Sequence, residues 1–346
     1  MKQQLTLPDL ALELQRIKTN SKDYIADTRA IRMRADMQTV AFSLVNSLTL
    51  RPYAHGQLAE LCEIPKPFYD RSRTDFPAET ADLVNAILHK LAQPRMVRTV
   101  GTEVRAILSN KYRPIDNFDV AEAVLPELFK FPELRVEACA LTEARMYINV
   151  VFPRIEARIA EVGDVVQLGL SCRNSDVGAG AFEVAPIIYT LRCKNGMVCA
   201  SEGKRRAHVG KRNDEDSWMY SAETRAADDK AFFLKVRDTV RATLTQATFD
   251  RLVEKLNVAA TDRIATDADI PETVMVLGER YGLTKETQTG ILTHLINGGD
   301  LSRYGYLNAV TAQAQDEEDY ELGATLERLG GQILEMPRVE FQRLAA

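Results

Sequence analysis

Three stretches between residues 145 and 194 alternate polar and apolar side chains, and this period-two pattern is the tightest constraint the chain places on its own fold. In RMYINVVF, Arg145, Tyr147 and Asn149 fall on one side while Met146, Ile148 and Val150 fall on the other. In VVQLGLSCR, Gln167, Ser171 and Arg173 oppose Val166, Leu168, Leu170 and Cys172. In IIYTLRCK, Thr190, Arg192 and Lys194 oppose Ile187, Tyr189, Leu191 and Cys193. Each segment therefore has one face that needs covering and one that tolerates water. A further extended segment, Arg135 to Leu141, precedes them.

Helices able to cover the apolar face lie on both sides in sequence. FDVAEAVLPELFKF places Val120, Val124 and Leu128 on one side, and DDKAFFLKVRDTVRATL aligns Phe233, Val236, Val240 and Leu244. The second helix carries Lys230, Arg237 and Arg241 along another side. The pattern predicts an α+β fold: a central antiparallel β-meander covered by helices on one face and open to solvent on the other, with helical N- and C-terminal regions. The three parts run over 1–95, 96–250 and 251–346. Asn195-Gly196 suits a type I′ turn, which would join the strand ending at Lys194 to one starting at Met197.

Elsewhere the pattern is simpler. The first hundred residues read as helical. HGQLAELCEIPKPFYDRSR and PAETADLVNAILHKL read as short helices broken at Pro65 and Pro67, a small packing module more than a helix-turn-helix reader. VRTVGTEVRAIL reads as a hairpin, NSDVGAGAF as a long strand connection whose backbone donors could meet an anion, and DEEDYE as a solvated acidic run.

Composition describes an ordinary globular chain, with 45% hydrophobic and 27% charged residues and a net charge of −5. No stretch reaches the ~18 apolar residues of a membrane span, and the N-terminal residues do not read as a signal peptide. The five cysteines (Cys62, Cys139, Cys172, Cys193 and Cys199) suit buried thiols in a reducing, cytoplasmic setting, where a Cys193–Cys199 bridge is disfavoured. There is no CxxC, HExxH or Walker motif and no Ser–His–Asp constellation, so the sequence offers no catalytic residue, metal site or cofactor.

The charge distribution is uneven. Between Arg192 and Arg212 stand seven Lys or Arg and one Glu, in a chain whose total is −5. With Arg145 and Arg173 on the same polar face, this run points to phosphate contact through Arg145, Arg173, Arg192, Lys194, Lys204, Arg205, Arg206, Lys211 and Arg212. Tyr147 would stack on a base, as would Tyr112 between Lys111 and Arg113. The expected ligand is single-stranded DNA, with RNA and duplex DNA left open.

Several motifs carry a resemblance. LSNKYRPIDN, GDVVQLGLSCRNSDVGAGAFEVAPIIYTLRCKNGM and LNAVTAQAQ resemble the phage- and plasmid-encoded domain-of-unknown-function family 932. QLAELCEIPKPFYD and LVNAIL fit its N-terminal part. This implies a mobile-element setting and no particular activity. At the level of fold, a helix, a β-meander and a covering helix with a basic groove look like phage single-strand annealing recombinases. That analogy implies ATP-independent annealing in recombination or replication, by a homo-oligomeric ring or filament. The acidic total charge and the large helical C-terminal region depart from it. Two other readings remain at this stage. One is a mobile-element module that binds a host protein, and the other a metal-dependent nucleic-acid enzyme using Asp116, Asp164 or Asp176.

Overall fold

The computed structural model describes residues 5–42, 45–192, 195–206, 221–264 and 270–344. It begins with α1 (Leu7–Asn20), β1 (Ser21–Asp27), β2 (Arg32–Met33), β3 (Thr39–Phe42) and β4 (Val45–Leu50). The helices α2 (Pro52–Leu61), α3 (Lys66–Asp75) and α4 (Pro77–Leu91) follow, then β5 (Pro94–Val100), β6 (Glu103–Ser109) and α5 (Asn117–Leu128). The central strands are β7 (Arg135–Leu141), β8 (Met146–Arg158), β9 (Val165–Asn174), β10 (Phe182–Thr190), β11 (Asn195–Val198) and β12 (Lys204–Arg206). The rest is helical: α6 (Ala222–Thr243), α7 (Gln246–Thr261), α8 (Ile270–Arg280), α9 (Lys285–Gly298), α10 (Arg303–Asp316), α11 (Tyr320–Glu335) and α12 (Arg338–Leu344).

The central meander forms as the alternation requires, in the order β11-β10-β9-β8-β7 with β12 also on β10. Ile148 pairs with Cys172 and Leu168 with Ile188, so the apolar positions of β8 and β9 share one face. On β10 the expected faces are exchanged: Ile187 and Tyr189 pair with Gly169 and Gln167 and lie on the polar side with Arg173, while Thr190 falls on the apolar side. Val120, Val124, Leu128, Val236 and Val240 are fully buried against Ile148, Val150, Leu170 and Cys172. Each such side chain contributes roughly 1.5–3 kcal/mol relative to exposure. Helix α1 joins this layer through Leu7, Leu10 and Leu14. Its start is fixed by the Thr6 side chain, which accepts from the Asp9 N–H, and by Pro8 in the first turn. The same sheet face, farther along, places Val166, Leu168 and Ile188 in a second core cluster that also holds apolar residues of α7–α10.

Three further expectations are corrected. First, the N-terminal region contains the expected helices, but also β1–β4. With β5 and β6 these make a second six-stranded sheet, ordered β1-β5-β6-β4-β3-β2. Strand β1 pairs with β5 over its whole length, yet Ala26 is its one fully buried residue. An edge strand held by backbone pairing leaves little apolar pattern to read.

Second, the polar face of the central sheet is not open. Helix α11 crosses it, from Tyr320 stacked on Tyr147 (centroids 5.7 Å apart) to Gly331 against the Val198 carbonyl. Asn149 donates to Glu327 at 3.2 Å, and a cavity of about 80 Å³ remains between helix and sheet.

Third, Asn195 and Gly196 do not form the turn. They pair with Thr190 and Tyr189 as strand residues of β11, so the reversal precedes them. Asn195 is buried and its Nδ2 donates to Thr311 Oγ1 and the Asn308 carbonyl. Those tertiary hydrogen bonds outweigh the local turn preference. Cys62, Cys139, Cys172 and Cys199 are free, buried thiols; Cys193 lies outside the described residues. Among the described residues no helix is long and apolar enough to cross a membrane.

Candidate anion-binding site

At one end of the central sheet, arginines from four separate elements converge. Their centre is Glu183, near the start of β10, only 3% exposed. Its neighbours directly opposite on the two flanking strands are Arg173 on β9 and Arg205 on β12. Arg173 lies 3.1 Å from the carboxylate and Arg205 4.0 Å. Arg328 reaches it from α11 at 3.1 Å. Burial lowers the Arg328 pKa, and Arg173 and Arg205 push the same way while Glu183 opposes them.

Arg145 stands beside this group. It follows the tight β7–β8 turn, where its N–H donates to Thr142 Oγ1 at 2.9 Å. Its guanidinium pairs with Glu321 of α11 and donates to the Ala179 carbonyl. Gly180 permits this arrangement, because a Cβ there would come within 2.7 Å of Arg145 Nη2. Arg145, Arg173, Arg205 and Arg328 thus line one cleft of about 290 Å³. Four guanidiniums face two carboxylates, Glu183 and Glu321, which leaves an excess of positive charge in a concave, partly desolvated place. Planar guanidiniums in this number suit phosphate or carboxylate groups.

Strand alternation and helix α6 disperse the remaining predicted residues. Lys204 and Arg206 point to the opposite sheet face from Arg205, because neighbours on a strand alternate. There Arg206 sits 4.3 Å over the Phe232 ring and 3.4 Å from Asp228, and Lys204 borders α6 near Lys235. Arg113 pairs with Asp229 at 2.7 Å and Asp228 at 3.2 Å. Lys111 is exposed on the loop before α5.

Arg192 is exposed but stands at the other end of β10, 3.7 Å from Asp164. Thr190 pairs with Val166 whereas Glu183 pairs with Arg173, a separation of roughly 23 Å at about 3.3 Å per residue. The expectation that Arg192 shares a patch with Arg145 and Arg173 is therefore corrected. Lys194, Lys211 and Arg212 lie outside the described residues.

Neither predicted stacking residue offers a free ring. Tyr147 is 4% exposed beneath Tyr320. Tyr112 packs with Leu108 and Val177, and its hydroxyl donates to the Ser175 carbonyl at 3.2 Å. The 175–181 connection is not a phosphate cradle: Ser175 Oγ takes the Val177 and Ala179 N–H groups. It clasps the two sheets instead. Asp176 pairs with Arg105 at 2.7 Å, and the carbonyls of Asp176 and Val177 accept from Arg98 and Gln57.

The three candidate catalytic aspartates stand apart. Asp116 binds Arg98 and Lys18, Asp176 binds Arg105, and Asp164 accepts from Tyr304. Among the described residues, no three His, Cys, Asp or Glu side chains assemble as a metal site.

Arg328 is the cleft residue that sequence reasoning missed. The available signal is Gly330-Gly331, a glycine pair inside a helical pattern, which marks a close approach of that helix to something rigid. No family model, curated protein or solved structure matches the chain, so function is argued from the geometry of this molecule alone.

Proposed function

We propose that this protein binds single-stranded nucleic acid by its phosphates, with Arg145, Arg173, Arg205 and Arg328 as the contact residues. The observation that carries this reading is the convergence of four guanidiniums on one concave site where, among the described residues, they pair with two carboxylates. A single strand can thread its backbone into such a cleft, whereas the phosphates of a duplex lie on a convex surface. With Tyr112 and Tyr147 packed inside the fold, the main affinity is electrostatic and independent of base sequence. No nucleotide hydrolysis is needed for binding of this kind. The phage- or plasmid-type setting implied by the sequence motifs agrees with such a role.

Fluorescence anisotropy with a labelled single strand and the matching duplex tests the proposal. Two to three phosphate contacts should make log K fall against log salt with a slope of roughly −1.5 to −2 for the single strand. The duplex should bind more weakly. Absence of single-strand binding at low salt, or a flat salt dependence, would refute it.

A further inference from the structure

The arginine cleft has a second wall of different chemistry. It comes from the junction of α8 and α9, in the C-terminal helical region. Helix α8 ends at Arg280, and Gly282, at φ +67°, turns the chain out of it. The Gly282 N–H bonds the Glu279 carbonyl at 3.1 Å and the Leu283 N–H bonds the Gly278 carbonyl at 2.8 Å, closing the helix end. This turn sets Tyr281 and Leu283 on the border of the cleft, facing the space shared with Arg173, Arg205 and Arg328. Tyr281 is half-buried, and Arg280, tied to Glu340, lies 5.8 Å from its ring centroid. The ring is thus held in place by its own helix end.

A cleft with guanidiniums on one wall and an aromatic ring on the other matches the two halves of a nucleotide. Its volume of about 290 Å³ is near the lower end of the range for small-ligand sites, ~300 Å³, and suits one nucleotide unit more than a tract. We infer that Tyr281 stacks on one base of the bound strand while Arg173, Arg205 and Arg328 hold the adjoining phosphate. This rests on the strand-binding proposal and deepens it: the site takes a base-bearing phosphodiester, not any polyanion. The aromatic function that the sequence assigned to Tyr112 and Tyr147 passes to a residue more than a hundred positions away.

The experiment compares the full-length wild type with Tyr281→Ala and Tyr281→Phe. Each is titrated against a labelled short single strand and against an abasic sugar-phosphate strand of equal length, at one low salt concentration. Stacking on a base is worth ~1–3 kcal/mol, so Tyr281→Ala should weaken binding of the base-bearing strand roughly 5- to 150-fold. Tyr281→Phe should keep the wild-type affinity. All three should bind the abasic strand alike, which also shows that the variants are folded. Equal binding of the base-bearing strand by Tyr281→Ala and wild type would overturn the inference while leaving phosphate binding intact. Equal affinity of the wild type for both strands would do the same. If the wild type binds neither strand, the proposed function falls, and this inference with it.

Discussion

Glu183→Leu is expected to destabilise the protein by about 3–5 kcal/mol, because it leaves buried guanidiniums without their shared counter-charge. Arg173 and Arg328 keep only 16% and 24% of their side-chain surface exposed. Neither can shed its proton, so removal of the carboxylate forces two like charges to remain together in a poorly solvated site. Arg205, with 62% of its side chain exposed, can swing into water and should matter less. Urea unfolding should show a lower midpoint with an unchanged slope. A second effect separates an anion site from a purely structural ion-pair cluster. In the variant the cleft carries one more uncompensated positive charge, so added oligonucleotide should raise its melting temperature more than that of the wild type. An equal rise in both proteins would argue against anion binding at this place.

Gly331→Val should be at least as disruptive to the cleft, by a steric route. A Cβ at Gly331 would lie 2.0 Å from the Val198 carbonyl oxygen and 2.9 Å from its carbon. Both are backbone atoms of a strand in the sheet, so no side-chain rotation relieves the contact, and α11 must back away. Helix propensity alone favours valine over glycine by a few tenths of a kcal/mol. Overpacking of a rigid contact costs roughly 1–3 kcal/mol or more, so the clash decides the sign. The helix that moves also carries Arg328, Glu327 and Glu321, and its retreat should break the contacts with Glu183, Asn149 and Arg145. A stability loss near 3 kcal/mol with loss of strand binding is the expected result of urea unfolding and anisotropy. A variant with wild-type stability would contradict the close seating of α11 on β11.

What the sequence made legible was the sheet, and through it half of the site. Period-two alternation placed Arg145 and Arg173 on one face, and the structure brings both to the same cleft with Arg205. The helices carrying Val120 and Val236 were equally plain, since an apolar stripe needs a surface to bury against. Alternation says which side chains share a face, but not what lies on top of that face. That is why neither α11 nor Arg328 is legible from the strands, and why Tyr147 reads from sequence as an exposed ring. The same limit applies to Lys204-Arg205-Arg206: a dense basic triplet in sequence is split by β12 between two sides of the sheet. Asn195-Gly196 shows the other limit. A strong local turn signal was overruled by hydrogen bonds from a buried Asn195 to a helix over a hundred residues away.

The central claim is that phosphate binds at the Glu183 end of the sheet and not at its far end. Arg205 and Arg192 provide matched probes, with 62% and 64% of their side chains exposed and each at the long edge of an ion pair. Reversing either charge sets a carboxylate beside a buried one, Glu183 or Asp164, so both variants should lose a similar, modest stability, which urea unfolding reads before binding is compared. The decisive measurement is single-strand affinity, across a salt series, for Arg205→Glu and Arg192→Glu. Arg205→Glu should lose on the order of tenfold in affinity and flatten the salt slope by about one, while Arg192→Glu matches the wild type. Unchanged binding in Arg205→Glu, or an equal loss in both variants, would contradict a site in the arginine cleft.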